Sequence, residues 1–94
     1  MEFEFIARLR IDFNGTRIDA EKKLVLGFVP YPGMGFCISN RYHELTVKNV
    51  WVTDDHNDNP EMAIVFNEIT SRSSFDEISD VVESLESEGW TVST

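Results

Sequence analysis

The chain has 94 residues, a formal net charge of −9 and 41% hydrophobic residues, seven Phe and two Trp among them. That length makes one domain around one core, and the aromatic content is too high for a disordered chain. The charge disfavours direct binding to nucleic acid or to anionic lipid, which need a basic footprint; no apolar run is long enough to cross a bilayer.

The N-terminus alternates acid and aromatic residues, Met1-Glu2-Phe3-Glu4-Phe5, unlike the basic start and continuous apolar stretch of a signal peptide. With nothing directing the chain elsewhere, the expected compartment is cytoplasmic. Its single cysteine, Cys37, excludes an internal disulfide framework and is expected to be a small buried hydrophobe.

Residues 3–13 carry the strongest structural signal. Phe3, Phe5, Ala7, Leu9, Ile11 and Phe13 share one phase; Glu4, Arg8, Arg10 and Asp12 share the other. This period of two predicts a strand with one buried face. Asn14-Gly15 then predicts a two-residue type I′ turn, whose central residues both need positive φ. The register follows: Asp12 faces Arg17, Arg10 faces Asp19 and Arg8 faces Glu21 on one side. Ile11 faces Ile18, Leu9 faces Ala20, Phe5 faces Leu24 and Phe3 faces Leu26 on the other. A one-residue slip would break both patterns together. Ala7 opposite Lys22 puts a charge on the apolar face, and a bulge or twist is expected there.

Leu24–Val29 is apolar in both phases, which suggests cover on both sides or a central position. Pro30-Tyr31-Pro32-Gly33 breaks the ladder, and residues 34–38 form a short extended segment. Residues 44–53 predict a third strand with a bulge near Lys48-Asn49, where the apolar phase changes. A polar loop over 54–60 leads to a fourth strand, Met62–Phe66, as its hairpin partner. Ser74-x-x-Glu77 reads as a capping box opening a helix, with Phe75, Ile78, Val81, Val82 and Leu85 as its apolar stripe and Gly89 ending it. Trp90-Thr91-Val92 is expected to return as an edge strand. The fold class is therefore α+β: a four- or five-stranded antiparallel sheet, barrel-like if strongly curled, with one C-terminal helix packed on one face.

Chemistry motifs are scarce. The loop Asp54–Glu61 has the acids of a calcium loop but neither its sixth-position Gly nor its twelfth-position Glu. His43 and His56 accompany no nucleophile elbow, and the glycines of residues 30–35 lack phosphate-loop spacing. No catalytic, cofactor or metal residue is assigned, and the chain is read as a non-enzyme. Arginines beside aromatics on a sheet can bind RNA, but three of the hairpin's cations face acids, so direct nucleic-acid binding is discounted.

The charge itself is uneven. Residues 1–48 hold seven Lys/Arg against six Asp/Glu, whereas residues 49–94 hold Arg72 alone against eleven Asp/Glu. Asp76, Asp80, Glu83 and Glu86 lack i, i+4 basic partners, and Glu86 and Glu88 oppose the helix dipole. The sequence thus points to a small acidic interaction protein whose helix meets a basic partner surface. In the extreme form it is an inhibitor imitating the charge of nucleic acid, as some phage-encoded proteins do. The alternative is a homo-oligomeric ligand or subunit-assembly module, a homodimer for example, using Tyr31, Met34 and Phe36 as its surface. No membrane partner is expected, and an enzyme ranks last.

Overall fold

The computed structural model describes residues 2–37, 44–53 and 61–94. Its elements are β1 (Phe3–Phe13), β2 (Thr16–Leu26), β3 (Gly35–Phe36), β4 (Leu45–Thr53), β5 (Glu61–Phe66), β6 (Ile69–Ser71), α1 (Ile78–Ser87) and β7 (Thr91–Ser93). They form an α+β fold, a sheet ordered β3-β4-β5-β1-β2-β7 with β6 on β1.

The long hairpin sets the frame. Asn14 and Gly15 have φ of 49° and 88°, the type I′ geometry, and all eleven β1–β2 pairs from Phe3↔Leu26 to Phe13↔Thr16 keep the expected register. Ala7 and Lys22 pair without a bulge. The apolar phase of β1 is buried from Phe5 to Phe13, Phe5, Ala7 and Ile11 completely, and Phe3 is half-buried. Asn14 also ties the hairpin tip to the chain ahead of the helix. Its backbone N–H donates to the Ser71 carbonyl at 3.0 Å; its side chain donates to Ser73 O at 2.8 Å and accepts from Ser73 N at 3.1 Å.

The sheet is mixed and open, not antiparallel throughout and not a closed barrel. β4 and β5 form the expected hairpin, with a register shift between Val47 and Asn49, but β5 docks parallel to β1 through Ile6↔Ala63 and Arg8↔Val65. β6 continues the same parallel edge, Ile11↔Ile69 to Phe13↔Ser71. β1 already has β2 on one side, so the β4–β5 hairpin takes the other, and the chain's return gives it the parallel sense. Two short strands were not counted from sequence: β3 on β4 and β6. β7 adds to β2 through Asp19↔Ser93 and Glu21↔Thr91.

Two further expectations fail. Leu24–Val29 is not doubly covered: Val25, Phe28 and Val29 are 58, 44 and 54% exposed, because β2 ends at Leu26 and β7 pairs only Asp19–Glu21. Cys37 is exposed; Phe36 before it turns inward to an edge contact with Phe66 at 5.7 Å, and strand alternation sends the next side chain out.

The helix starts later than Ser74. The Ser73 hydroxyl accepts the N–H groups of Phe75 at 3.2 Å and Asp76 at 3.1 Å, which holds that stretch in a turn. The N-cap is Glu77, and Asp80 closes the capping box by accepting the Glu77 N–H at 2.9 Å. Phe75 therefore lies outside the stripe and is 95% exposed. Val81 and Leu85 are fully buried and share one core with Phe5, Ala7, Leu9 and Ile18, so the helix covers the apolar hairpin face. Each such aliphatic side chain contributes roughly 1.5–3 kcal/mol by burial.

The helix ends in a Schellman motif. Gly89, at φ 93°, donates to Glu86 O at 3.1 Å, and Trp90 donates to Leu85 O at 3.1 Å. No basic residue lies in the last turn. Lys22 serves instead: its Nζ donates to Glu88 O at 2.7 Å and stands 5.9 Å from the Trp90 ring centroid. The charge that fitted badly on the apolar face is the helix's C-terminal counter-charge. A charge-assisted hydrogen bond of this kind contributes about 1.5–3 kcal/mol, more than the few tenths expected of a surface ion pair. Lys22→Met keeps the apolar stem and removes the donor. Urea unfolding of that variant should show a loss of about 1–2 kcal/mol with unchanged far-ultraviolet circular dichroism; unaltered stability would mean the contact is dispensable.

Candidate functional site

The two faces of the sheet differ in kind. On the helix-covered face, Val50, Ile64, Ala7 and Lys22 form one row across four strands. On the other face, which no described element covers and which is called the uncovered face below, run the rows Trp51–Ala63–Ile6–Lys23 and Asn49–Val65–Arg8–Glu21–Thr91.

The hairpin's uncovered side carries Arg8, Arg10, Arg17 and Lys23 against Glu4, Asp12, Asp19 and Glu21, four cations and four carboxylates. Its ion pairs join Arg8 Nε to Glu21 at 3.4 Å, Arg10 Nε to Asp19 at 3.2 Å, Arg17 Nε to the other Asp19 oxygen at 3.0 Å and Lys23 Nζ to Glu4 at 3.8 Å. The expected Asp12–Arg17 ion pair is replaced: Asp12 accepts the Gly15 N–H at 2.9 Å and braces the turn, while Arg17 shares Asp19 with Arg10. An open hollow of about 530 Å³ lies over this face, with Lys48 and Glu68 added at its rim.

The acidic helix lies on the other side of the molecule. Asp80, Glu83 and Glu86 are exposed on its outer face. Among the described residues no cation stands within ion-pair distance of Glu83 or Glu86. Asp76 does not belong to the helical row, because it precedes the Glu77 N-cap; it is exposed and makes contacts of its own. The expected row of Asp76, Asp80, Glu83 and Glu86 thus reduces to the last three, with Asp80 also serving the cap.

The second expected surface is divided. Phe36 is 8% exposed and stacks on Phe28 at 6.4 Å. Met34 packs against the core. Tyr31 alone of the three is well exposed, at 64%. The segment is held to β4 by Gly33 N–H to Val47 O and Val47 N–H to Met34 O, both 2.8 Å. Pro32 and positive-φ Gly33 occupy the central positions of a turn closed by Met34 N–H to Tyr31 O at 3.1 Å, the type II pattern.

His43, His56 and residues 54–60 lie outside the described residues. Among the described residues no group of three His, Cys, Asp or Glu could hold a metal ion, and no helix is long and apolar enough to cross a membrane. Trp51 was missed from sequence. It is 55% exposed on the uncovered face, and its place next to Val50 was the available signal, since strand alternation sends the residue beside Val50 to the opposite face. No known family model, curated protein or solved structure matches the chain.

The double duty of Asp80 separates fold from surface. Asp80→Ala removes half of the capping box and should cost about 1 kcal/mol. Glu83→Ala and Glu86→Ala should stay within about 0.5 kcal/mol of the parent. Thermal unfolding followed by circular dichroism distinguishes them; equal losses at all three positions would remove the cap from the explanation.

Proposed function

We propose that the protein is a non-enzymatic interaction module whose outer helix face binds a basic protein surface. The observation that carries this reading is the segregation of charge. Arg8, Arg10, Arg17 and Lys23 pair with acids of their own face, and Lys22 is engaged by the Glu88 carbonyl at the helix end, so no described hairpin cation stands within ion-pair distance of Glu83 and Glu86. A like-charged row without i, i+4 partners costs helix stability, and a complementary partner turns that cost into attraction and faster encounter. The Schellman end and the Lys22 bridge hold the helix rigidly on the sheet, which lowers the entropy lost on docking. In its sharpest form the partner is a nucleic-acid-binding protein whose basic site the helix occupies. The proposed setting is intracellular, where such basic surfaces are abundant.

The double variant Glu83→Lys/Glu86→Lys leaves Asp80 and the cap intact. In affinity capture from cells of the source, read by mass spectrometry, the parent should retain basic proteins that the double variant does not. Affinity for a captured partner should fall at least about tenfold in the variant and decline steadily as salt shortens the Debye length. Retention of the same partners by the variant, or binding unaffected by about 1 M salt, would defeat the proposal.

A further inference from the structure

We propose that the uncovered sheet face is a self-association surface on which two copies of this chain pack sheet to sheet about a two-fold axis. The argument starts from charge. The chain carries −9 in all, and the four cations and four carboxylates of the hairpin's outer face cancel. The excess of negative charge therefore lies off this hairpin face. Two copies meeting through the helix bring like charges together; meeting through this face they bring neutral surfaces together. The alternation of sign along the strands is also self-complementary, since a two-fold rotation can set cations of one copy opposite carboxylates of the other, as an isologous contact requires.

Apolar content supplies the centre. Trp51 is 55% exposed, in register with buried Ala63 and half-buried Ile6, and half-buried Val65 adjoins them in the next row. An exposed aromatic at one end of an apolar row, with internally paired charges on the adjoining hairpin, has the composition of an interface core beside its polar rim. The molecule measures 45 × 26 × 21 Å. Its broad side is on the order of 1,000 Å², enough for the roughly 800 Å² per partner that a stable complex buries. Sheets so packed lie about 10 Å apart.

This surface is separate from the acidic helix, and salt separates the two readings. Binding of a basic partner weakens as salt rises. Self-association through a neutral face strengthens, because screening relieves the long-range repulsion between two strongly negative chains. Sedimentation equilibrium of the full chain across a hundredfold range of concentration, at low and high salt, should show a monomer–dimer equilibrium that tightens with salt. Trp51→Glu adds charge at an already exposed position and should shift the equilibrium at least tenfold toward monomer, with circular dichroism unchanged. Glu83→Lys/Glu86→Lys should still dimerise. The two tryptophans give a second reading on the unmodified protein. Trp90, 3% exposed, is shielded at all concentrations, whereas Trp51 should lose its access to a soluble quencher as dimer forms. A chain that stays monomeric throughout, a dimer dispersed by salt, a Trp51→Glu variant that dimerises like the parent, or quenching independent of concentration would each overturn the proposal.

Discussion

The register of the first hairpin is the constraint from which the rest of the molecule descends. Eleven consecutive pairs fix which side chains of β1 and β2 share a face, and with that parity set, every later element has its place. The helix can bury its stripe only against Phe5, Ala7, Leu9 and their partners. The β4–β5 hairpin extends the same division across the sheet, placing Val50 and Ile64 on the helix side and Trp51 and Ala63 on the other. A slip by one residue would put arginines under the helix and phenylalanines in water. The cost would be several kcal/mol for each unpaired buried charge, set against about 0.2–1 kcal/mol for any one cross-strand pair. The turn therefore matters beyond its two residues. Asp12 braces Gly15, and Asn14 uses both ends of its amide to hold Ser73, so the device that sets the register also positions the approach to the helix.

Local signals were legible wherever one strong periodicity met one strong punctuation. The alternation of β1, the Asn14-Gly15 turn, the Val47–Asn49 bulge and the Gly89 terminus all belong to this kind. Partner choice was not legible. Nothing in the sequence of residues 61–66 states that this strand pairs with β4 on one edge and β1 on the other, because parallel pairing depends on the path of the whole chain and leaves no local mark. The helix start was misplaced for a different reason. Ser74-x-x-Glu77 and Glu77-x-x-Asp80 both offer a reciprocal pair, and Ser73 decides between them by capturing two N–H groups in a turn.

Lys22 shows how a violation of pattern can carry information. Taken locally, a lysine opposite Ala7 is a flaw that calls for a bulge. The backbone makes none, because the ammonium meets the helix end just where the acids Glu86 and Glu88 and the absence of basic residues leave the carbonyls without a counter-charge. The two irregularities noted along the chain, a cation on an apolar face and a helix with the wrong charge at its C-terminus, resolve each other across 66 residues. The acidic surface was legible as composition, but its separation from the arginines was not, since that depends on which face of the sheet the helix covers.

The last strand also bears on how the protein comes into being on the ribosome. Leu85 and Trp90 complete the core, and residues 91–93 pair with β2, so an emerging chain exposes the apolar side of its first hairpin until the helix and β7 have been made. A lone two-stranded hairpin is marginal in water, and at about 5–20 residues per second translation leaves that side uncovered for several seconds. Nascent chains of this sequence should thus be natural clients for holding chaperones.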